Sequence, residues 1–311
     1  MSVELNPIHA GLSHLGVLGL RALGAAVSIA SPVLWGAAAG AVTPLLWRLL
    51  ARHRKVALKN LIDTGRTPAE AQAIGKASFR SNILVLFESL AMARLVSRKG
   101  VQVESRISPE ALEATKKLSS GEETLAFAVS GHTGLWEFNG AEMAKLCAPT
   151  PVVVSARLVK NPIVTDFLIK LRNSFGITLV EKEEFLRYLL SHARRKEPRL
   201  HVFLCDQHFK GGERVPFLGR KACTVAIPAA LIRKYRVPVF MGRCVRRSPG
   251  NYLNEFRLFD RRPYENMPEK EAVHEITAAI SKFIGETIEA APEQWTWGHR
   301  RWRKCCDRVG K

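Results

Sequence analysis

From residue 124 to residue 290, short apolar runs alternate with amphipathic segments, and few architectures accept that pattern. Residues 124–130 (TLAFAVS), 151–156 (PVVVSA), 177–180, 200–205 (LHVFLC), 237–244 and 252–258 are short, apolar and rich in β-branched side chains, as strands are. Between or after them, residues 134–146, 161–176, 182–195, 225–234 and 267–290 carry helical spacing. Strands apolar on both faces and separated by helices predict an α/β fold, a mostly parallel central sheet flanked by helices. Ligands of such sheets gather at the carboxyl ends of the strands.

Upstream, the chain is helical. Thr67-Pro68-Ala69-Glu70 spells a capping box with proline at the first helical position, opening a helix to about Leu95. Ser108-Pro109-Glu110 opens another. Earlier still, no charge occurs from Ala22 to Trp47, and Arg21 and Arg48 bracket the stretch. This is long enough to span a bilayer core, so an N-terminal hydrophobic membrane-anchoring helix is expected. Its alanines, glycines, Pro32 and Pro44 also suit a buried hairpin or an in-plane interfacial helix. Arg48, Arg52, Arg54, Lys55 and Lys59 follow it, and that basic flank places the rest of the chain in the cytoplasm. The expected division is an anchoring segment over residues 1–60 and an α/β domain over 61–311.

Charge and cysteines narrow the function. Lys and Arg number 47 against 28 Asp and Glu, a formal charge of +19. Such an excess attracts an anionic partner: nucleic acid, anionic lipid or an acidic carrier protein. The six cysteines form no C-x-x-C pair, and Cys205 with His208 lacks a second ligand pair, so no metal site is expected. Apolar neighbours predict buried, reduced thiols at Cys147, Cys205, Cys223 and Cys244.

Three strand ends carry polar clusters. The first is Gly131-His132-Thr133-Gly134-Leu135-Trp136-Glu137. A histidine just past an apolar strand can face a substrate, and a carboxylate at Glu137 can hold its other nitrogen and raise its basicity. A helix-capping histidine beside a solvated glutamate would have the same local sequence. The second cluster, Arg157 to Asn161 with Lys160, puts two cations at a helix entrance, and Arg172 adds a third late on that helix. The third is Asp206-Gln207-His208, where Asp206 either supports His132, orients a hydroxyl or merely makes a turn. Val215-Pro216-Phe217-Leu218-Gly219 follows, an apolar turn suited to a lipid-facing lip or to a buried anchor. No activated nucleophile stands out, Ser130 being the one tempting hydroxyl.

Taken as a set, these segments resemble the late acyltransferases of lipid A biosynthesis, within the wider lysophospholipid acyltransferase group. His132 to Glu137 looks like their H-x4-(D/E) motif, and residues 156–176 look like their R-x-x-K-N-P block ending in R-x-x-x-G. Asp206-Gln207 with VPFLG resembles their D-Q and V-P-F-F-G segment, and Gln294 to Trp302 resembles a Q-W-x-W-x-H-R-R tail. Arg54 and Asn60-Leu61 match the entry region. The resemblance implies an acyltransferase domain that moves a fatty acyl chain from an acyl carrier protein thioester to a hydroxyl of a lipid A precursor. It implies the cytoplasmic face of an inner membrane and no cofactor. His132 and Glu137 inherit catalytic roles, Arg157, Lys160, Asn161, Arg172 and Gln207 substrate-binding roles, and Asp206 a supporting one. His208 and the leucine of VPFLG depart from the pattern, which leaves chain-length preference open. Another acceptor, such as a phosphatidylinositol mannoside or a lysophospholipid with acyl-CoA, is the alternative within the class. A nucleic-acid binder would explain the charge but leave the uncharged N-terminal stretch and the strand-end His/Glu without purpose. A membrane-binding protein without catalysis is the remaining rival. The tail, which mixes Trp295, Trp297 and Trp302 with Arg300, Arg301, Arg303 and Lys304, has the composition of a membrane interface.

Overall fold

The computed structural model describes residues 7–95, 101–157 and 161–304. Four helices lead: α1 (Pro7–Ile29), α2 (Pro32–Leu49), α3 (Ala51–Asp63) and α4 (Pro68–Leu95). Then come β1 (Gln102–Ile107), α5 (Pro109–Ser120), β2 (Leu125–Ser130), α6 (Trp136–Leu146), β3 (Val152–Ala156), α7 (Pro162–Asn173), β4 (Ile177–Glu181), α8 (Lys182–Arg195) and β5 (Arg199–Leu204). The hairpin β6 (Glu213–Phe217) and β7 (Arg220–Thr224) precedes α9 (Ile227–Tyr235), β8 (Val239–Ser248), β9 (Asn251–Leu258) and α10 (Glu269–Ala290). The central sheet has seven strands in the order β1-β9-β8-β2-β5-β3-β4. All its pairs are parallel except β8 with β9. The α/β expectation therefore holds.

Alternation along the strands builds two cores. Ala126 and Ala128 of β2 face α2, α4, α5 and α6, whereas Leu125, Phe127 and Val129 face α8, α9 and α10. β1 escaped the sequence reading because its side chains are mostly exposed and polar, QVESRI, and only the β9 edge holds it. The two capping signals are confirmed in detail. Thr67 and Glu70 exchange bonds, with the Thr67 amide donating to Glu70 Oε2 at 2.8 Å and the Glu70 amide to Thr67 Oγ1 at 3.3 Å. Ser108 Oγ accepts from the Ala111 amide at 3.2 Å.

The N-terminal expectation needs correction. The uncharged stretch is two helices, because Ser31 caps α2 and Pro32 sits in its first turn. No single described helix is long and apolar enough to cross a membrane; α2 and α3 together pass on length and composition but are bent by 95°. Both N-terminal helices pack on α4 through Val27, Trp35 and Ala39, and Trp35 Nε1 donates to the Val27 carbonyl at 2.9 Å. Their other side is apolar and exposed at Leu15, Leu18, Ile29, Val33, Leu34 and Leu45.

Val215 and Phe217 are buried, which decides the VPFLG turn between its two readings in favour of the buried anchor. Cys147, Cys205 and Cys244 are free and buried, but Cys223 is disulfide-bonded, contrary to the expectation of a thiol.

A buried polar cluster joins α4 to the far strands. Arg246 Nε donates to Glu88 Oε1 at 2.6 Å, and the Tyr252 hydroxyl donates to the same oxygen at 2.7 Å. Gln294 pairs with both backbone groups of Arg246, at 2.8 and 2.7 Å.

Candidate active site

β2, β5 and β3 are neighbours, and their parallel register decides what meets at their carboxyl ends. Ser130 lies opposite Leu204, so two residues further His132 and Asp206 leave the sheet level with each other. The turn holding His132 is narrow. Gly134 has φ +60, and a Cβ there would stand 2.1 Å from the Cys244 carbonyl oxygen, so only glycine fits. Its amide donates to the Gln294 carbonyl at 3.0 Å, and the Leu135 amide to the Cys244 carbonyl at 3.2 Å. His132 is thereby fixed between the sheet and the C-terminal tail.

Its imidazole Nδ1 is 2.7 Å from Asp206 Oδ1. Asp206 is 1 % exposed, and its second oxygen accepts from the Trp295 indole Nε1–H at 2.8 Å. Burial alone would raise the Asp206 carboxyl, but the His132 charge and the hydrogen bonds from His132 and Trp295 outweigh it and hold the group well below the usual carboxylate range. Burial likewise opposes the charged form of His132; the Asp206 charge and hydrogen bond, with the Glu137 charge, overcome this and raise its pKa. An ionised Asp206 accepts a hydrogen bond from Nδ1–H, which keeps that proton on Nδ1 and leaves the Nε2 lone pair free when the ring is neutral. The His132 side chain is 26 % exposed and opens into a cavity of about 920 Å³.

Glu137 has a different partner. It is 3 % exposed, and its Oε1 accepts from Arg172 Nη2 of α7. Its Oε2 has no hydrogen-bond partner among the described residues, and both Glu137 and Arg172 line the cavity. The carboxylate that touches the imidazole is therefore Asp206. The sequence reading offered both acids, with Glu137 as the primary support.

Other expected residues divide. Arg157 and Gln207 line the cavity. Asn161 does not: its Oδ1 caps α7 by accepting from the Ile163 and Val164 amides at 3.1 and 3.2 Å, and its Nδ2 donates to Ser13 Oγ at 2.5 Å. Lys160 lies outside the described residues. Ser130 Oγ donates to the Gly242 carbonyl at 2.8 Å and has no bond to His132.

Several cavity residues were missed. Arg52 and His53 come from α3, Lys182 from α8, and His299, Arg300 and Arg303 from the tail. Nothing local in the sequence marks them, because α3 and the tail meet only in the fold, where Asn60 Nδ2 donates to the carbonyls of Trp297 and His299, both at 2.8 Å. Of the six cavity arginines and lysines, only Arg172 has a carboxylate within salt-bridge distance among the described residues. Val154, Ile177, Leu179, Phe185, Leu186 and Phe203 add apolar surface to the cavity lining. A cavity with an imidazole base, apolar lining and cations that have no carboxylate partner among the described residues suits an amphiphile bearing anionic groups.

The tail itself is not an interface-like surface. Trp295, Trp297 and Arg301 are buried, and Arg300, Arg303 and Lys304 alone are exposed as expected. Arg301 donates to the Gln207 and Cys223 carbonyls at 3.1 and 2.5 Å and to Thr224 Oγ1 at 2.6 Å, and its guanidinium lies 4.6 Å from the Phe217 ring centre. It ties the β6–β7 hairpin to the loop after Asp206.

The family model described as bacterial lipid A biosynthesis acyltransferase matches residues 8–304. No curated protein matches the chain.

Proposed function

The chain belongs to the bacterial lipid A biosynthesis acyltransferases, and from that membership we propose that it moves a fatty acyl group from an acyl carrier protein thioester to a hydroxyl of a lipid A precursor. The observation that carries the mechanism is the free Nε2 edge of His132 at the cavity, with Nδ1 held by Asp206. Neutral His132 takes the proton of the acceptor hydroxyl as the oxygen attacks the thioester carbonyl carbon. The tetrahedral intermediate then collapses with cleavage of the carbon–sulfur bond. His132 returns the proton to the departing thiolate, so the products are an ester and a thiol. Asp206 stabilises the imidazolium formed in between, and a positioned base of this kind contributes ~10²–10⁴-fold.

Glu137 and Arg172 act on the substrate in this reading. Arg172 bonds one oxygen of Glu137, and the other oxygen can accept a hydrogen bond from the acceptor beside the reacting hydroxyl. The apolar lining suits the acyl chain. Arg52, Arg157, Lys182, Arg300 and Arg303 suit phosphates, whether of the glycolipid or of the carrier's prosthetic arm.

The reaction is assigned to the cytoplasmic face of the inner membrane. Supporting this are the outward apolar side chains of α1 and α2 and the exposed basic residues Arg48, Arg52, Lys55 and Lys59 that follow them. A helix pair of this kind lies in the interface with its apolar side among the acyl chains and its cations at anionic headgroups. The residues 1–60 then attach the α/β domain to the bilayer.

The decisive measurement is mass spectrometry of membrane lipids from a deletion strain complemented with wild type or His132→Ala. Lipid A lacking one acyl chain, restored only by wild type, is the expected result. A change confined to another lipid class would move the acceptor, and full restoration by His132→Ala would remove the base.

A further inference from the structure

We infer that Trp295 is a positioning residue for the transfer step: from the C-terminal tail it holds the second oxygen of Asp206 and thereby aims His132 into the cavity. The inference rests on the acyl-transfer reading above, and it gives the tail a part in the chemistry.

A buried carboxylate oxygen left without a donor costs free energy, so a donor on each oxygen favours one orientation of the group. Asp206 has His132 on Oδ1 and Trp295 on Oδ2, at 2.7 and 2.8 Å. These two contacts leave the carboxylate one rotamer. With Oδ1 committed to Nδ1, the ring is held in one tautomer and at one angle.

The donor is itself held from both ends. The Trp295 backbone forms an antiparallel bridge with Thr133, the residue after His132, and its carbonyl accepts from Ser78 Oγ at 2.5 Å. Its ring is buried among Phe217, Trp297 and Trp302, with centroids 5.7, 4.9 and 6.1 Å away. One residue thus brackets the base, through its backbone beside Thr133 and through its side chain on Asp206. A buried tryptophan needs an acceptor for its N–H in any fold. A backbone carbonyl serves that purpose for Trp297, which donates to Pro292 at 2.7 Å. Trp295 spends its N–H on the carboxylate that supports the base, which packing alone does not require.

The test is Trp295→Phe in the full-length protein, together with replacement by benzothienylalanine, which keeps the indole outline and lacks the N–H. Hydrogen bonds to charged groups set the scale, and kcat is expected to fall about ten- to a hundred-fold in both variants. KM for donor and acceptor should stay near wild type, because neither substrate touches Trp295. In an Asp206→Asn background, Trp295→Phe should cost little more, since the carboxylate through which it acts is gone. A kcat within two-fold of wild type in the benzothienylalanine protein, or an undiminished further loss in the Asp206→Asn background, overturns the inference. A readout without turnover separates it from the reaction assignment: the His132 Nδ1–H proton resonance of the ligand-free protein should shift or broaden when the indole N–H is removed. An unmoved resonance counts against Trp295, whereas absence of any acyl transfer by wild type counts against the reaction alone.

Discussion

Asp206 Oδ1 stands 2.7 Å from His132 Nδ1, and the acid that lines the cavity, Glu137, is bonded instead to Arg172. The two carboxylates therefore do different work, and their variants should behave differently.

Asp206→Asn removes the charge that raises His132 and can present the wrong hydrogen-bond partner to Nδ1. Turnover should fall by ~10²–10⁴-fold. A base must be neutral to act, so in wild type activity falls as pH drops through the raised His132 pKa, above the ordinary histidine value. Without the Asp206 charge that fall should move to lower pH. A kcat–pH profile of the two proteins measures it; an acid limb at the same pH in both would remove Asp206 as the source of the shift.

Glu137→Gln should lower activity while leaving that acid limb much nearer to wild type, because its charge is the smallest of the contributions raising His132. Arg172→Ala is the harsher change for the fold. It leaves Glu137, 3 % exposed, as a buried carboxylate with neither oxygen paired. Stripping one partner from such a pair costs about 3–5 kcal/mol, and Arg172 is itself partly exposed, so the lower end applies. Urea unfolding should show the single Arg172→Ala protein less stable than the Arg172→Ala, Glu137→Gln double variant.

Glu88→Ala tests the cluster that joins α4 to the sheet. Arg246 and Tyr252 would both lose their partner in a dry interior, with a destabilisation of about 3–5 kcal/mol. Tyr252→Phe removes one hydrogen bond and should cost about 1 kcal/mol. Equal losses in the two variants by chemical denaturation would show that the ion pair is not what holds these elements.

Arg52, Arg300 and Arg303 line the cavity without a carboxylate partner among the described residues. Alanine at any two of them should raise KM for a phosphate-bearing substrate by about ten-fold at low salt, and the gap should close as ionic strength rises. A KM independent of salt in wild type would argue that these arginines meet no anion.

Leu34→Glu with Leu45→Glu places two charges on the outward side of α2, where both leucines are exposed. Flotation with vesicles containing anionic lipid should show much weaker binding than wild type, at unchanged melting temperature. Equal flotation would move the membrane contact elsewhere on the surface.

How much of this could be read beforehand depends on the range of each interaction. The caps at Thr67 and Ser108 and the apolar strands are local patterns, and they reappear in place. The position of His132 at a strand end is local as well. Its partner is not: a histidine followed by a carboxylate five residues on suggests a pair, but Glu137 begins the first turn of α6 and meets Arg172. The Asp206 contact follows from the register of β2 on β5, which no segment of either strand announces. The tail misled for the same reason. Tryptophans among arginines have the composition of a membrane surface, yet Trp295, Trp297 and Arg301 are interior, because Asn60 of α3 and Ser78 of α4 donate to the tail's carbonyls while Asp206, Gln207 and Cys223 accept from its side chains. The break at Ser31-Pro32 was visible as a proline within the uncharged stretch, but composition alone did not say that it would end one helix and start another.

The interior position of Trp295, Trp297 and Arg301, beside Asp206 and the β6–β7 hairpin, has a consequence for biosynthesis. During translation α1 and α2 emerge before the strands of the sheet. Asp206 acquires its indole donor, and the hairpin its buried guanidinium, only after residues 295–301 have left the ribosome. A nascent chain that already contains the whole sheet therefore still lacks the Trp295 bond to Asp206.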